Sequence, residues 1–272
     1  MSERYLLYID ILGFGDMVFK DERRVELLYD VINSLNVHRH DMFETIVFSD
    51  TVLVYNRDVA ILEEESKYVV WYSIEFAEDL HHRLTGQGIY FRAVLVKGEF
   101  RHFAMDNLQA FYGRALVSAY LSEKEIPSLG LFISDECNKE NQYFRTSPFG
   151  NGWNFVYLNR HIEYLCRDTN DTFPIDPSDF VHLADGYPYL VWQVRFLRDV
   201  YWSMRNELSP KVRTKFLTAW DFHFKRYPNL LTQLVKKDFS LDAISPGFDF
   251  SRELAELESF IAEFRGKSEV EA

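Results

Sequence analysis

The sequence predicts an α+β fold, a sheet with helices packed on it, followed by a mostly helical segment. In the first half of the chain, apolar runs of strand length alternate with longer segments whose apolar residues recur at helical spacing. After about residue 150, helical patterns predominate. We therefore expect a core domain over residues 1–150. A helical extension over residues 151–272 would pack on that core or on a dimer.

The elements of the first half follow one another in the order β-α-β-β-α-β. They are a strand at 4–10, a helix at 17–35, strands on both sides of Ser49-Asp50, a helix at 61–84 and a strand at 89–96. Gly86 and Gly88 stop the second helix. A ferredoxin-like core has this order. Right-handed crossovers then place both helices on one face of the sheet.

Further elements are predicted after this core. They are a strand or turn near 99–105, a helix at 113–124, a strand at 131–134, a final edge strand within 151–158, a loop at 168–187, and helices at 189–206, 210–226 and 251–265. Pro228 and the pair Pro246-Gly247 interrupt the helical part. We expect this part to cap the core or to shape a dimer.

Composition excludes some classes of function. The net charge of −12 argues against general nucleic-acid binding, which needs clustered Lys and Arg. No run reaches the roughly 18 apolar residues of a membrane span. Cys137 and Cys166 lack metal-ligand spacing and are expected to be buried thiols. These features predict a soluble cytoplasmic protein that binds neither nucleic acid nor membrane.

Two aspartates stand at the ends of predicted strands. Asp10 ends the first strand, and Asp50 lies at the tip between the next two. A cation of the Mg²⁺ type uses one or two protein carboxylates and takes its other ligands from phosphate and water. A single aspartate after a strand is typical of a turn or a helix cap. The two together predict a divalent-cation site.

A glycine turn from Ile11 to Gly15 follows the first aspartate. It opens the first predicted helix, where free backbone N–H groups attract phosphate. Gly13 allows a close approach to the backbone. The turn therefore predicts a place for a polyphosphate beside the cation site.

These motifs resemble the class III nucleotidyl cyclases, the family of adenylate and guanylate cyclase catalytic domains. The resemblance extends over roughly residues 4–135 and is greatest to the pyrimidine cyclases of bacterial Pycsar anti-phage systems. The stretches that carry it are Ile9-Asp10-Ile11-Leu12-Gly13-Phe14, Phe48-Ser49-Asp50, Phe91-Arg92-Ala93-Val94-Leu95-Val96-Lys97-Gly98 and Tyr112-Gly113-Arg114-Ala115-Leu116-Val117-Ser118-Ala119-Tyr120.

The resemblance implies a role for each matched residue. Asp10 and Asp50, helped by the Ile11 carbonyl, bind two Mg²⁺ or Mn²⁺ ions in each site. Gly13 and Phe14 belong to the nucleotide-binding turn. Arg92, six residues before Gly98, clamps the triphosphate, as the planar donor fork of arginine suits. Arg114, and also Arg101, are further candidates to neutralise phosphate charge.

The sequence also departs from the family pattern. Ile46 and Ala110 stand where purine cyclases carry the polar pair that selects the base. Val117 and Leu121 stand where the family has its transition-state Asn and Arg. The first departure favours a pyrimidine substrate. The second leaves open which groups stabilise the transition state.

The implied activity is conversion of UTP or CTP into a 3′,5′-cyclic pyrimidine nucleotide, with cUMP favoured over cCMP. A homodimer would form the active sites, and the product would act on a downstream effector in anti-phage signalling. One alternative is a catalytically silent cyclase-fold module that binds a nucleotide or a protein. A relative of the diguanylate cyclases or another metal-dependent nucleotidyltransferase is less favoured, because the Gly-Gly-Asp/Glu-Phe hairpin is absent.

Overall fold

The computed structural model describes residues 3–269, and the side chains of residues 3–264. The chain divides into two compact units. The first contains the chain up to Arg83 together with Tyr90–Leu158. The second contains Leu84–Ile89 together with the chain from Asn159 onwards.

The first unit is built on two sheets. Its strands are β1 Glu3–Leu12, β2 Phe43–Phe48, β3 Thr51–Asn56, β4 Tyr90–Glu99, β5 Arg101–Met105, β6 Leu108–Tyr112, β7 Gly130–Ser134, β8 Thr146–Gly150 and β9 Trp153–Val156. Seven of them form one sheet in the order β2-β3-β1-β4-β7-β9-β8, and β5 pairs with β6 in a separate hairpin. The pairing of β4 with β7 is parallel, and the others are antiparallel.

Five helices accompany these strands: α1 Phe14–Lys20, α2 Glu22–Asn33, α3 Glu63–Leu84, α4 Arg114–Glu125 and α5 Asp135–Glu140. The order β2-β3-β1-β4, with helical crossovers from β1 to β2 and from β3 to β4, is that of a ferredoxin-like core. The α+β prediction is therefore confirmed. Strand β1 lies between β3 and β4, and its residues from Tyr5 to Ile9 are all buried.

The structure corrects several predicted elements of this unit. The helix expected at 17–35 is two helices, because Asp21 leaves helical geometry and its carboxylate accepts from Arg24 N–H at 3.3 Å, which caps α2. The strand or turn near 99–105 is the first half of the β5–β6 hairpin. Strand β9, expected at the sheet edge, lies inside it, and β8 forms that edge.

The second unit is helical. Its helices are α6 Arg160–Asp168, α7 Pro177–Phe180, α8 Leu190–Asn206, α9 Pro210–Arg226, α10 Pro228–Lys236 and α11 Ser251–Glu269, with short 3₁₀ turns at Ala184–Gly186 and Leu241–Ala243. The segment 168–187, predicted as a loop, contains α7 and one of these turns. Pro228 begins α10, where its missing N–H costs no hydrogen bond.

A buried polar cluster lies within this second unit. The Glu163 carboxylate accepts hydrogen bonds from the Arg226 guanidinium and, at 2.9 Å, from the Tyr227 hydroxyl. His223 lies 3.1 Å from the Asn159 amide nitrogen through Nε2, and its Nδ1 donates to the Ala219 carbonyl at 2.8 Å. Burial lowers the pKa of His223 to about 4, so this histidine is neutral in the folded protein at neutral pH.

Candidate active site

Asp10 lies near the end of β1, between the strands that bring its neighbours. Its Cα is paired with that of Thr51 on β3 and with that of Arg92 on β4. The Asp10 side chain is 22% exposed. A carboxylate at this position is held by a central strand and still reaches the surface.

Asp50 lies at the tip of the β2–β3 hairpin, beside the first aspartate. Ile11 N–H donates to the Asp50 carbonyl at 2.9 Å, so the tip is joined directly to the residue that follows Asp10. Ser49 has a φ of 55°, in the left-handed region, and its carbonyl accepts from the Tyr29 hydroxyl at 3.0 Å. The structure therefore brings together the two aspartates that sequence analysis selected.

The turn after Asp10 has the left-handed backbone that its glycine predicts. Gly13 has a φ of 75°, and a Cβ at this position would meet no other heavy atom within 4 Å. Phe14, predicted to lie in the nucleotide-binding turn, is buried and its ring lies 6.2 Å from that of Tyr29. Phe14 therefore packs the base of the turn.

Arg92 is buried within the first unit. Its Nη1 donates to the Ile126 carbonyl at 2.7 Å. Its Nη2 contacts the Glu123 carboxylate and lies 3.6 Å from Asp10 Oδ2. The guanidinium thus joins the candidate cation ligand to the last turn of α4. The predicted contact of Arg92 with a triphosphate stays a prediction.

Glu123 is a member of this site that sequence analysis missed. It is buried on the same stripe of α4 as Ala115 and Ala119, at intervals of four residues. A glutamate that continues a stripe of small buried residues is a recognisable signal, because an unpaired buried carboxylate is costly. The Ile126 carbonyl, another partner of Arg92, had no signal in the sequence.

Arg114 begins α4 and is open to solvent. Its side chain is 88% exposed, and its Nε lies 3.3 Å from a carboxylate oxygen of Glu99. Gly113 precedes it with a φ of 152°, and a Cβ there would lie 2.1 Å from the Glu99 carbonyl oxygen, so only glycine fits. These residues border a cavity of about 550 Å³ that is lined by Glu99, Tyr112, Gly113, Arg114, Val117 and Ser118.

The two predicted base-contact residues lie on different sheets. Ile46 is on β2, where its Cα pairs with that of Leu53. Ala110 is on β6, where its Cα pairs with that of Phe103. Both side chains are partly exposed. They remain predicted base contacts.

A set of exposed large apolar side chains lies on α4 and on the β5–β6 hairpin that precedes it. We call it the α4–hairpin surface, and it consists of Phe103, Met105, Leu108, Tyr112, Val117, Tyr120 and Leu121. Val117 and Leu121, which replace the family's polar pair, are four residues apart and share one face of the helix. An apolar patch of this kind is typical of an interaction surface.

The two aspartates fit a cation of the Mg²⁺ type. They supply two carboxylates from adjacent strand ends, and such a cation takes its remaining ligands from phosphate and water. Within residues 3–269, no group of three or more His, Cys, Asp or Glu side chains is placed to hold a metal ion by itself. The donor set therefore fits a cation that completes its coordination with water, or with phosphate when a nucleotide is bound.

Comparison with known proteins finds similarity among solved structures alone. No family model matches the sequence, and no curated protein matches it. The adenylyl cyclase CyaB from P. aeruginosa is similar at 15% identity and a TM-score of 0.45, over 57% of this chain and 94% of that one. The guanylate cyclase domain of RhGC from Catenaria anguillulae, solved with GTP, is similar at 13% identity and a TM-score of 0.44, over 57% and 96% of the two chains.

Two other expectations concern the whole sequence. Cys137 and Cys166 are buried free thiols, as predicted. Burial raises the pKa of both thiols, that of Cys137 to about 12. Among the helices in the described part of the chain, none has the length and apolar character needed to cross a bilayer.

Proposed function

We propose that this chain is a nucleotide cyclase that converts a pyrimidine nucleoside triphosphate into its 3′,5′-cyclic monophosphate and pyrophosphate. The observation that carries the proposal is the hydrogen bond from Ile11 N–H to the Asp50 carbonyl. This bond joins the Asp50 tip to the residue after Asp10, which supports a shared role of the two aspartates in binding a cation. Use of the product as an anti-phage signal, read by a separate effector protein, rests on the sequence resemblance.

The reaction needs charge stabilisation at both ends of one displacement. The ribose 3′-oxygen bonds to the α-phosphorus, the bond from that phosphorus to the bridging oxygen breaks, and the hydroxyl proton passes to solvent. Two Mg²⁺ or Mn²⁺ ions, when bound, supply Lewis-acid stabilisation of the attacking oxygen and the leaving pyrophosphate. Asp10 and Asp50, with the Ile11 carbonyl, would hold them. The exposed guanidinium of Arg114, together with Arg101, is available to neutralise phosphate charge.

The preference for a pyrimidine rests on the absence of polar groups that recognise a purine. A site built to hydrogen-bond the edge of one base discriminates strongly against bases that lack the matching donors and acceptors. Ile46 and Ala110 provide no side-chain donor or acceptor for such an edge. We place UTP slightly ahead of CTP as the substrate.

The α4–hairpin surface supports a homodimer in which each site uses groups from both chains. Closed two-fold dimers place the same surface of each chain in the interface. The surface defined above is apolar, and the cavity beside Arg114 opens next to it. A second copy bound there would cover apolar side chains and bring its own arginine toward the nucleotide.

The direct test is incubation of the purified protein with each of the four nucleoside triphosphates and Mn²⁺. Products are identified by mass spectrometry. We expect cyclic UMP or cyclic CMP with release of pyrophosphate. A clean preference for ATP would instead indicate a divergent adenylate cyclase, and no cyclic product from any nucleotide would contradict the proposal.

A silent regulatory module is the second candidate. The observation that favours it is the position of Arg92, whose guanidinium is occupied by Glu123 and the Ile126 carbonyl. Val117 and Leu121 also lack the chemistry of the residues that they replace. Nucleotide binding without turnover in the same assay would favour this module.

A further inference from the structure

The guanidinium of Arg92 contacts three oxygen-bearing groups in the first unit. They are the Ile126 carbonyl, the Glu123 carboxylate and the Asp10 carboxylate. The side chains of Arg92 and Glu123 are 10% and 4% exposed. Their ion pair is therefore shielded from water and from the screening that weakens surface ion pairs.

Stability does not by itself explain this buried pair. Removing two charges from water costs several kcal/mol for each ion, and apolar residues of similar volume often stabilise a fold as well or better. The rest of the buried stripe of α4 consists of small apolar residues, Ala115 and Ala119. An apolar residue at position 123 would continue that stripe. The pair therefore points to a role beyond packing.

The charges around Asp10 suggest what that role is. Asp10 and Arg92 carry −1 and +1, so without Glu123 the guanidinium cancels the charge that Asp10 offers a divalent cation and leaves only that of Asp50. Glu123 adds −1, so Asp10, Arg92 and Glu123 together carry a charge of −1. Its carboxylate also engages the same Nη2 that lies 3.6 Å from Asp10 Oδ2. Glu123 thus competes with Asp10 for the guanidinium.

We propose that Glu123 is a positioning residue for the cation site, because it neutralises Arg92 and leaves the Asp10 carboxylate available to Mg²⁺ or Mn²⁺. The proposal rests on the proposed function only in that Asp10 binds a cation. Outer partners of this kind tune metal affinity although they do not touch the metal. The last turn of α4 is then part of the cation site.

The test measures Mn²⁺ binding without nucleotide, by isothermal titration calorimetry and by the loss of the free-ion electron paramagnetic resonance signal. Asp10→Asn identifies the binding that belongs to this site. Glu123→Gln removes the neutralising charge, and we expect its Mn²⁺ dissociation constant to rise by roughly 10- to 100-fold. Glu125→Gln is the matched control, since Glu125 is exposed two residues away on the same helix, and its dissociation constant should stay at the wild-type value.

The double variant Arg92→Gln/Glu123→Gln separates charge from fold. It removes both buried charges and restores the local sum to the −1 of Asp10 alone. We expect its Mn²⁺ affinity to return to within about threefold of wild type, a recovery that loss of packing does not produce. A loss of more than tenfold in the double variant overturns the proposal even if the single variant does not fold.

Other outcomes separate this proposal from the proposed function. The role of Glu123 is contradicted if Glu123→Gln binds Mn²⁺ as tightly as the wild type. It is also contradicted if the wild type shows no Mn²⁺ binding that Asp10→Asn abolishes. A protein that binds Mn²⁺ with the expected Glu123 dependence but forms no cyclic nucleotide contradicts the proposed function and supports the role of Glu123.

Discussion

At the scale of single residues, the candidate catalytic groups of this fold are Asp10, Asp50 and Arg92. Asp10 lies on a strand with a partner on each side, and Asp50 lies on a hairpin tip joined to that strand by one backbone hydrogen bond. Asp10 belongs to the sheet and Asp50 to the turn between β2 and β3, and neither carboxylate is part of the apolar core. Substitution should therefore affect chemistry more than folding.

Asp10→Asn and Asp50→Asn should each lower the rate of cyclic nucleotide formation by at least about a thousandfold. Each removes a cation ligand worth several kcal/mol of transition-state stabilisation, and about 1.4 kcal/mol corresponds to tenfold in rate. Asp16→Asn is the matched control, because Asp16 is an exposed carboxylate on the neighbouring helix α1. If either aspartate variant turns over near the wild-type rate, as the Asp16→Asn control should, the assignment of that aspartate as a metal ligand is wrong.

At the scale of elements, the connection from the β5–β6 hairpin into α4 depends on one glycine. Gly113 combines a positive φ with a close approach to the Glu99 carbonyl. Gly15 in α1 is the opposite case, since it has helical geometry and open space around it. The same substitution at these two positions should therefore have opposite effects.

Gly113→Ala should lower the free energy of unfolding by about 2–4 kcal/mol, because the new Cβ collides with backbone and the φ is unfavourable. Gly15→Ala should raise it by up to about 1 kcal/mol, because alanine is the better helix former. Urea unfolding followed by circular dichroism measures both values. Equal effects at the two positions would show that the turn before α4 tolerates a side chain.

The buried histidine of α9 predicts how the second unit responds to acid. His223 is neutral when folded, with a pKa of about 4, against an ordinary value of 6.5. Below pH 6.5 the unfolded chain binds a proton that the folded chain does not, so acid favours unfolding. The loss of stability develops between pH 6.5 and pH 4 and then levels off.

His223→Gln should reduce this loss by about 3 kcal/mol over that interval, since glutamine does not titrate. Unfolding free energies of the wild type and the variant at pH 7, 5.5 and 4 provide the comparison. His182→Gln is the control, because His182 is exposed in the same unit. If the wild type and His223→Gln lose stability in parallel, burial of His223 does not control the acid response.

At the scale of the whole molecule, the α4–hairpin surface is the feature that a single chain leaves unexplained. Seven large apolar side chains are exposed on one helix and one hairpin. Charged substitutions in the centre of such a surface should oppose association, because a buried unpaired charge is costly.

Val117→Asp/Leu121→Asp should convert a dimer into a monomer in sedimentation velocity at micromolar concentration and should abolish turnover. Leu208→Asp is the matched control, since Leu208 is an exposed apolar residue in the second unit.

Mixing inactive Asp10→Asn chains with inactive Arg114→Ala chains should restore up to roughly a quarter of wild-type activity, if half the dimers are mixed and each has one intact site. A fully active monomer would exclude the shared site.

The sequence by itself determined those features that depend on neighbours along the chain. The apolar periodicity of residues 61–84 and the Ser49-Asp50 tip predicted α3 and the β2–β3 hairpin, and the motif around Asp10 predicted a carboxylate at a strand end. Local preferences also explain the errors: Asp21 divides one predicted helix, and Pro228, expected to interrupt the helical part, begins α10.

Only the tertiary structure decided which distant residues meet. Arg92 and Glu123 are 31 positions apart, and their contact exists because β4 and α4 pack in one unit. The pairing of β9 with β7 likewise puts β8 outside β9, at an edge where Pro148 of β8 is tolerated. Burial and pairing depend on the whole fold, so the helical stripe of α4 can single out Glu123 but cannot identify Arg92 as its partner.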